Sequence, residues 1–203
     1  MFGGHIMKKK LILVTSPPAC GKTFVSRELA KHLQHVVYLD KDTLIPLSKQ
    51  IFVVAGEPYN RSSDFFEEYI RNYEYDCVIE LALEAIEYEN IVLINAPFTR
   101  EVRDINFMTG LSNRLAEKGA ELVVVWVQTS IETVRERMIQ RNSDRDTWKL
   151  THWDEYIATR DFSIPENLVN SNVNKFYLFK NNNTEEFIES MAKIKIALEG
   201  NKE

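Results

Sequence analysis

Cysteine is nearly absent from the 203 residues. The chain contains only Cys20 and Cys77, which excludes a disulfide framework and leads us to expect a reducing, cytoplasmic setting. Glycine and proline are also scarce, at seven and six residues, so collagen-like and low-complexity architectures are excluded. No window approaches ~18 uninterrupted apolar residues, and no membrane span is expected. Lysines 8–10 ahead of an apolar run look like the start of an export signal, but residues 11–14 are too few for a hydrophobic region of about 7–15 residues. Positive charge is not in excess either. With 25 Lys and Arg against 30 Asp and Glu, the net charge is −5, so neither a long nucleic acid nor an anionic membrane is an expected partner. What remains, 44% apolar and 27% charged residues, is the composition of an ordinary folded chain of one domain. Residues 1–10 read as a leader or cloning remnant, Met7 itself being suited to start the chain, and residues 11–200 as the domain, a monomer or homodimer.

Apolar runs at residues 11–14, 36–39, 91–94, 122–127 and 176–179 read as strands, with helical periodicity in the intervals apart from a mixed region through Gly56 and Pro58 after the second run. Val25, Leu29 and Leu33 share one face of the first helix. Phe66, Tyr69, Ile70, Tyr73, Cys77, Leu81 and Ala85 follow a 3.6-residue period and predict a long helix with that stripe facing inward. Ile105, Met108, Leu111 and Leu115 mark another, with Gly119 as its left-handed cap. Thr129 and Glu132 have capping-box spacing ahead of Ile131, Val134 and Met138. Thr184, with Glu185 and Glu186, is expected to open a last helix built on Phe187, Met191, Ile194 and Leu198. The 122–127 run is apolar without alternation, which suits a central parallel strand covered on both faces. Together these predict an α/β fold of three layers, helices on both sides of a five-stranded parallel sheet. Residues 142–174, polar and weakly periodic, read as a mobile lid followed by a short helix.

Between the first strand and its helix stands SPPACGKT, residues 16–23. The pattern GxxxxGK[ST] holds an anion because small residues let successive backbone N–H groups turn toward it, at a helix N-terminus whose dipole also favours negative charge. Ser16, Pro18, Ala19, Cys20, Gly21, Lys22 and Thr23 are therefore candidates to cradle nucleotide phosphates, with Lys22 reaching the terminal ones. Ser16 stands where a first glycine is usual, and serine tolerates fewer backbone conformations. Cys20 has two readings, a thiol of lowered pKa beside the helix start or a small residue that the loop accepts.

Asp40 and Asp42 follow the second strand at its carboxyl end, where parallel sheets bind their ligands. In extended backbone, i and i+2 project to the same side. The segment LDKD, residues 39–42, resembles the D-x-D element of the P-loop small-molecule kinases, among them shikimate and gluconate kinases, chloramphenicol phosphotransferase and zeta-toxin-like kinases. The resemblance implies that Asp40 and Thr23 support Mg²⁺ and that Asp42 binds or deprotonates an acceptor hydroxyl. The residues alone leave open that Asp42 merely caps the following helix. After the third strand, where ATPases often place a metal-associated aspartate, this chain has Asn95, which supplies no charge. Asn95 and Arg100 are expected near the acceptor pocket, as substrate contacts or as loop structure.

Arg137, Arg141 and Arg145 recur every fourth residue, and three cations on one line repel one another unless an anion is present. A solvated helix face paired with Glu132 and Glu136 is the plainer reading. The segment ERMIQRNSDRD, residues 136–146, resembles the start of the lid in nucleoside-monophosphate and related kinases. By that resemblance Arg137 stacks on adenine, Arg141 contacts the phosphates and Arg145 closes over the transferring group. Asn181, with residues 182–183, falls where such kinases hold the adenine edge. The implied activity is transfer of the γ-phosphate of ATP, with Mg²⁺, to a small-molecule hydroxyl or phosphate acceptor. The rival is a nucleotide-binding regulatory ATPase or switch without an acceptor, which would have no need of an acceptor base such as Asp42.

Overall fold

The computed structural model of the chain describes residues 8–199, the side chains of Asp144 and Arg145 excepted. The expected leader thus falls largely outside the described residues. Strands β1 (Lys9–Thr15), β2 (Val36–Asp40), β3 (Ile91–Asn95), β4 (Ala120–Gln128) and β5 (Lys175–Lys180) form one sheet in the order β2-β3-β1-β4-β5. Every pairing in it is parallel. The helices are α1 (Lys22–His32), α2 (Ile45–Ala55), α3 (Asp64–Phe66), α4 (Asn72–Tyr88), α5 (Ile105–Glu117), α6 (Ile131–Arg141), α7 (Asp144–Thr151), α8 (Trp153–Ala158), α9 (Glu166–Val169) and α10 (Thr184–Glu199). Among the described residues no helix is long and apolar enough to cross a membrane.

The unbroken apolar strands are explained by their two packed faces. Leu11 and Leu13 of β1, with Leu122, Val124 and Trp126 of β4, join a core cluster with α4 and α5. Ile12 and Val14, with Val123, Val125 and Val127, join a second cluster with α1, α6 and α10 on the opposite face. Successive side chains alternate between faces, so with both faces covered neither set has reason to be polar, and the period of two vanishes from the sequence. Truncating a wholly buried leucine such as Leu13 to alanine should cost about 2–5 kcal/mol. The fold is the predicted three-layer α/β/α arrangement.

Local structure departs from expectation at five places. The mixed region after the second strand contains the helix α2, Ile45–Ala55. The predicted long helix contains a π-helical turn, Glu67–Arg71, between α3 and α4. One extra residue in that turn rotates everything after it by about 100°. Phe66 and Ile70 face inward as expected, but Tyr75, Val78, Ile79, Ala82, Leu83 and Ile86 then take over the buried stripe, while Tyr73 and Leu81 are left exposed. Ser130, not Thr129, caps α6, its Oγ accepting from the Thr133 N–H at 3.2 Å. At α10 the Asn183 Oδ1 accepts from the Glu186 N–H at 2.9 Å, the capping role expected of Thr184. Residues 142–174 are α7, α8 and α9 with their connections, anchored by buried Tyr156 and Leu168. Helices of eight, six and four residues are too short to display a clear period.

Candidate active site at the carboxyl ends of the strands

The loop between β1 and α1 borders a cleft of about 620 Å³, a size that suits a small-molecule ligand. The positive φ angles of this loop fall on Ala19 (64°) and Gly21 (88°) and not on Ser16, which is why serine is tolerated in the usual glycine place. Ser16 is fully buried and its hydroxyl donates to the Pro17 carbonyl at 2.9 Å. At Gly21 a glycine is required, because a Cβ would run into Asn181 Nδ2. Ala19 in the left-handed region stores about 1–2 kcal/mol of strain. Pro17 and Pro18 have no amide N–H, so Pro18 offers the cradle no backbone donor.

Three groups from distant parts of the chain hold one carbonyl of this loop. Asn181 Nδ2 (2.8 Å), Thr129 Oγ1 (3.0 Å) and Arg137 Nη1 (3.2 Å) all donate to Cys20 O. In a trans peptide the N–H opposes the C=O, so drawing this carbonyl toward β5 turns the Gly21 N–H the other way, to the cleft that Gly21 lines. Arg137 also donates to the Asn181 carbonyl at 2.6 Å. Asn181, 5% exposed, lies beneath the phosphate loop and does not border the cleft. Its side chain makes a contact that shapes the loop. Burial pushes the Cys20 thiol up to about 12, the opposite direction from a thiol of lowered pKa.

Asn95, at the end of β3, joins the elements of the site. Lys22 Nζ donates to Asn95 Oδ1 at 3.0 Å, and Asn95 Nδ2 donates to Asp40 Oδ2 at 2.9 Å and to Thr23 Oγ1 at 3.3 Å. Burial lowers the pKa of Lys22, while Asp42 and Asp40 pull it the other way. Asn95 is 2% exposed, borders neither the cleft at the phosphate loop nor the one beside Arg100, and makes internal bonds to the groups that would meet phosphate and metal, as its loop-structural reading expects. Asp40 is itself the cap of the turn after β2. Its Oδ1 accepts from the Asp42 N–H at 3.0 Å and starts the 3₁₀ turn Lys41–Leu44. The Asp42 side chain, 62% exposed, is thus free of capping duty. Both aspartates border the cleft, although a turn and not extended backbone brings them there.

The lid supplies further cations. Arg141 Nε (2.8 Å) and Lys149 Nζ (3.0 Å) donate to the fully buried carboxylate of Asp146, and both cations border the cleft. Burial alone would raise the pKa of Asp146, but these two hydrogen bonds outweigh it and hold the group below its usual value. The Arg145 side chain lies outside the described residues. A second cleft, of about 490 Å³, opens on the other side of Pro17, Pro18, Pro97 and Lys149, which border both. Arg100 borders this second cleft, with its guanidinium paired to Glu67 at 2.6 Å. The hydroxyl of Tyr156, on α8, is buried without a hydrogen-bond partner, and Tyr156 borders the same cleft. Such an unmade bond costs about 1–3 kcal/mol.

Several of these residues escaped the sequence. Ser26, which donates to Asn95 at 3.3 Å, and Tyr38, which donates to Asp40 at 3.2 Å, sit one helical turn after Lys22 and two strand positions before Asp40, spacings that do carry a signal. Lys149 and Tyr156 carry none, since their partners come from elsewhere in the chain.

A family model described as an AAA domain matches residues 11–162. Solved structures share the fold at low identity. A candidate kinase from Chloroflexus aurantiacus j-10-fl is 17% identical with a TM-score of 0.64, covering 96% of this chain and 98% of its own. Shikimate kinase from Bacteroides thetaiotaomicron is 15% identical with a TM-score of 0.53, covering 95% and 99%. Kti12 from Chaetomium thermophilum, in complex with ADP-AlF3, is 18% identical with a TM-score of 0.54, covering 94% and 100%. No curated protein sequence matches the chain. With the phosphate loop in place between β1 and α1 and the family match spanning three quarters of its length, the chain belongs to the AAA-domain family and has the P-loop kinase-like fold.

Proposed function

We propose that the protein transfers the γ-phosphate of ATP to a small acceptor. The observation that carries this reading is the pair of adjoining clefts, which share Pro17, Pro18, Pro97 and Lys149 as borders. A nucleotide switch or regulatory ATPase needs the first alone. The solved relatives named as kinases agree with it, whereas Kti12 keeps the binding of a nucleotide without a stated acceptor in view.

In this reading the loop amides from Ala19 onward and Lys22 hold the phosphates, and the residues 142–174 act as a lid that brings Arg141, Lys149 and Arg145 over them. Asp42, exposed beside the cleft and released from capping, takes the acceptor's proton or aligns its hydroxyl. Catalysis is mainly positioning and charge neutralisation. The donor set fits Mg²⁺. Thr23 Oγ1 and Asp40 Oδ2 are hard oxygens brought together on the one Asn95 amide, and an ion of this kind takes few protein ligands besides water and phosphate oxygens. When bound it would neutralise charge on the β- and γ-phosphates.

The test begins with melting curves. ADP with Mg²⁺ at a hundredfold excess over its dissociation constant should stabilise the chain by roughly 2.7 kcal/mol, and Lys22→Ala should remove most of that shift. ATP consumption is then followed across a library of small hydroxyl and phosphate compounds. Slow consumption that no compound accelerates favours the switch, and an unshifted melting curve removes the nucleotide reading altogether.

A further inference from the structure

We propose that Tyr156 is the acceptor-recognition residue of the second cleft, its hydroxyl donating to an oxyanion, carboxylate or phosphate, of the molecule that receives the phosphoryl group. The proposal rests on the kinase reading above and adds to it the chemical nature of the acceptor.

The unpartnered hydroxyl comes first. Among the described residues, Thr15 Oγ1, Glu101 Oε2, Trp126 Nε1 and Asn174 Oδ1 are also buried without partners, but those residues border neither cleft. Tyr156 alone of the set borders a cleft. Buried polar groups are ordinarily satisfied, so a donor left open beside a cavity points to a bond made only when the cavity is filled. Burial pushes its phenol up to about 12, so it remains a donor throughout the neutral range.

The walls of the cleft indicate what that ligand carries. Pro17 and Pro18 form the edge nearest the phosphate loop and present no amide N–H, so recognition there falls to side chains. Arg71, Arg100, Arg103, Lys149 and Arg160 border the cleft against the two acids Glu67 and Asp161, in a chain whose net charge is −5. Arg71 is held by Glu101 at 2.7 Å and Arg103 by Asp161 at 3.1 Å, which fixes them in place. Arg160 makes no ion pair among the described residues and sits over the Tyr156 ring at 5.9 Å. With Arg100 paired to Glu67 at 2.6 Å and Lys149 to Asp146 at 3.0 Å, Arg160 is the cation left over, and an unpaired cation next to an unpartnered hydroxyl suits an anionic oxygen better than a neutral one, since a hydrogen bond to a charged group is the stronger.

The experiment uses the full chain with Mg²⁺ and a saturating β,γ-imido analogue of ATP, which fills the γ-phosphate position so that added anions report on the second cleft. Inorganic phosphate, glycerate and glycerol are titrated in by calorimetry. Phosphate or glycerate should bind, the tighter of the two naming the source of the oxyanion, and glycerol should bind at least about tenfold more weakly, the difference expected for a charged hydrogen bond. Tyr156→Phe should weaken the oxyanion about tenfold or more while leaving the nucleotide analogue's affinity unchanged. It should also raise the melting temperature of the ligand-free chain, because it removes the unmade bond, an outcome that a purely structural hydroxyl would reverse. Arg160→Gln provides a second variant with the same direction of loss. Oxyanion binding unchanged in Tyr156→Phe, glycerol binding as tight as either anion, or no oxyanion bound at all overturns the proposal. Failure of the nucleotide analogue to bind overturns the kinase reading instead.

Discussion

Asp40 and Asn95 occupy the same register position on neighbouring strands, and the Asn95 amide donates to the Asp40 carboxylate at 2.9 Å. The neutral amide lets a single carboxylate stand beside Lys22 and Thr23. Asn95→Asp would place two carboxylates within about 3 Å, a spacing at which both cannot ionise freely. We expect a lower melting temperature in chelator and a larger rise on adding Mg²⁺ than in the parent chain. Equal melting curves in chelator would show that this amide is not needed to keep the site together.

Asp42→Asn is expected to leave the melting temperature and ATP affinity unchanged, because Asp40 caps the turn. Acceptor-dependent turnover should fall by about two to four orders of magnitude, the usual contribution of a general base. Near-normal turnover would remove Asp42 from the chemistry.

Arg141→Ala should reduce turnover more than it reduces affinity for ADP, because its proposed work is done over the transferring phosphate in the closed lid. Since Arg141 also pairs with buried Asp146, the variant should lose some stability, less than Asp146→Ala, which strands both Arg141 and Lys149. Turnover and ADP affinity falling equally would make Arg141 an ordinary binding group.

Glu74 gives the fold a pH dependence. It is 4% exposed and accepts from Lys41 at 2.8 Å and from Arg61 at 2.7 Å. Burial raises its pKa, but the hydrogen bonds from Arg61, Lys41 and Ser48 outweigh it and bring it to about 2, against an ordinary 4.5. A carboxyl whose pKa is lower in the folded state contributes stability above its unfolded value and loses it as pH falls through the folded one. Here that is roughly 3 kcal/mol at neutral pH, disappearing between about pH 4.5 and 2. Urea unfolding of Glu74→Gln should show a deficit at pH 7 that closes toward pH 2. A deficit constant with pH would assign the loss to packing.

The sequence by itself determined the order of the strands, the parallel sheet and the phosphate loop, because each is written in local pattern. Residues 11–14 and 122–127 are apolar runs that suit buried strands, and Gly21-Lys22-Thr23 opens a helix directly after one. It also singled out Asp40 and Asp42 by their place at a strand end. Only the tertiary structure decided what these residues do to one another. The inward face of α4 follows from a π-helical turn that no periodicity announces, since in an unbroken helix Tyr73 and Leu81, and not Tyr75 and Val78, would continue the stripe of Phe66 and Ile70. Capping passed from Asp42 to Asp40, and from Thr129 to Ser130, by choices of one or two residues that depend on where the chain leaves the sheet. Asn181 and Arg137 reach Cys20 O across 161 and 117 residues. Lys149 and Tyr156 meet the clefts from α7 and α8. Local propensity is a property of neighbours in the chain, whereas a site at the ends of parallel strands is assembled from loops distant in sequence, and its contacts exist only after the sheet has brought those loops together.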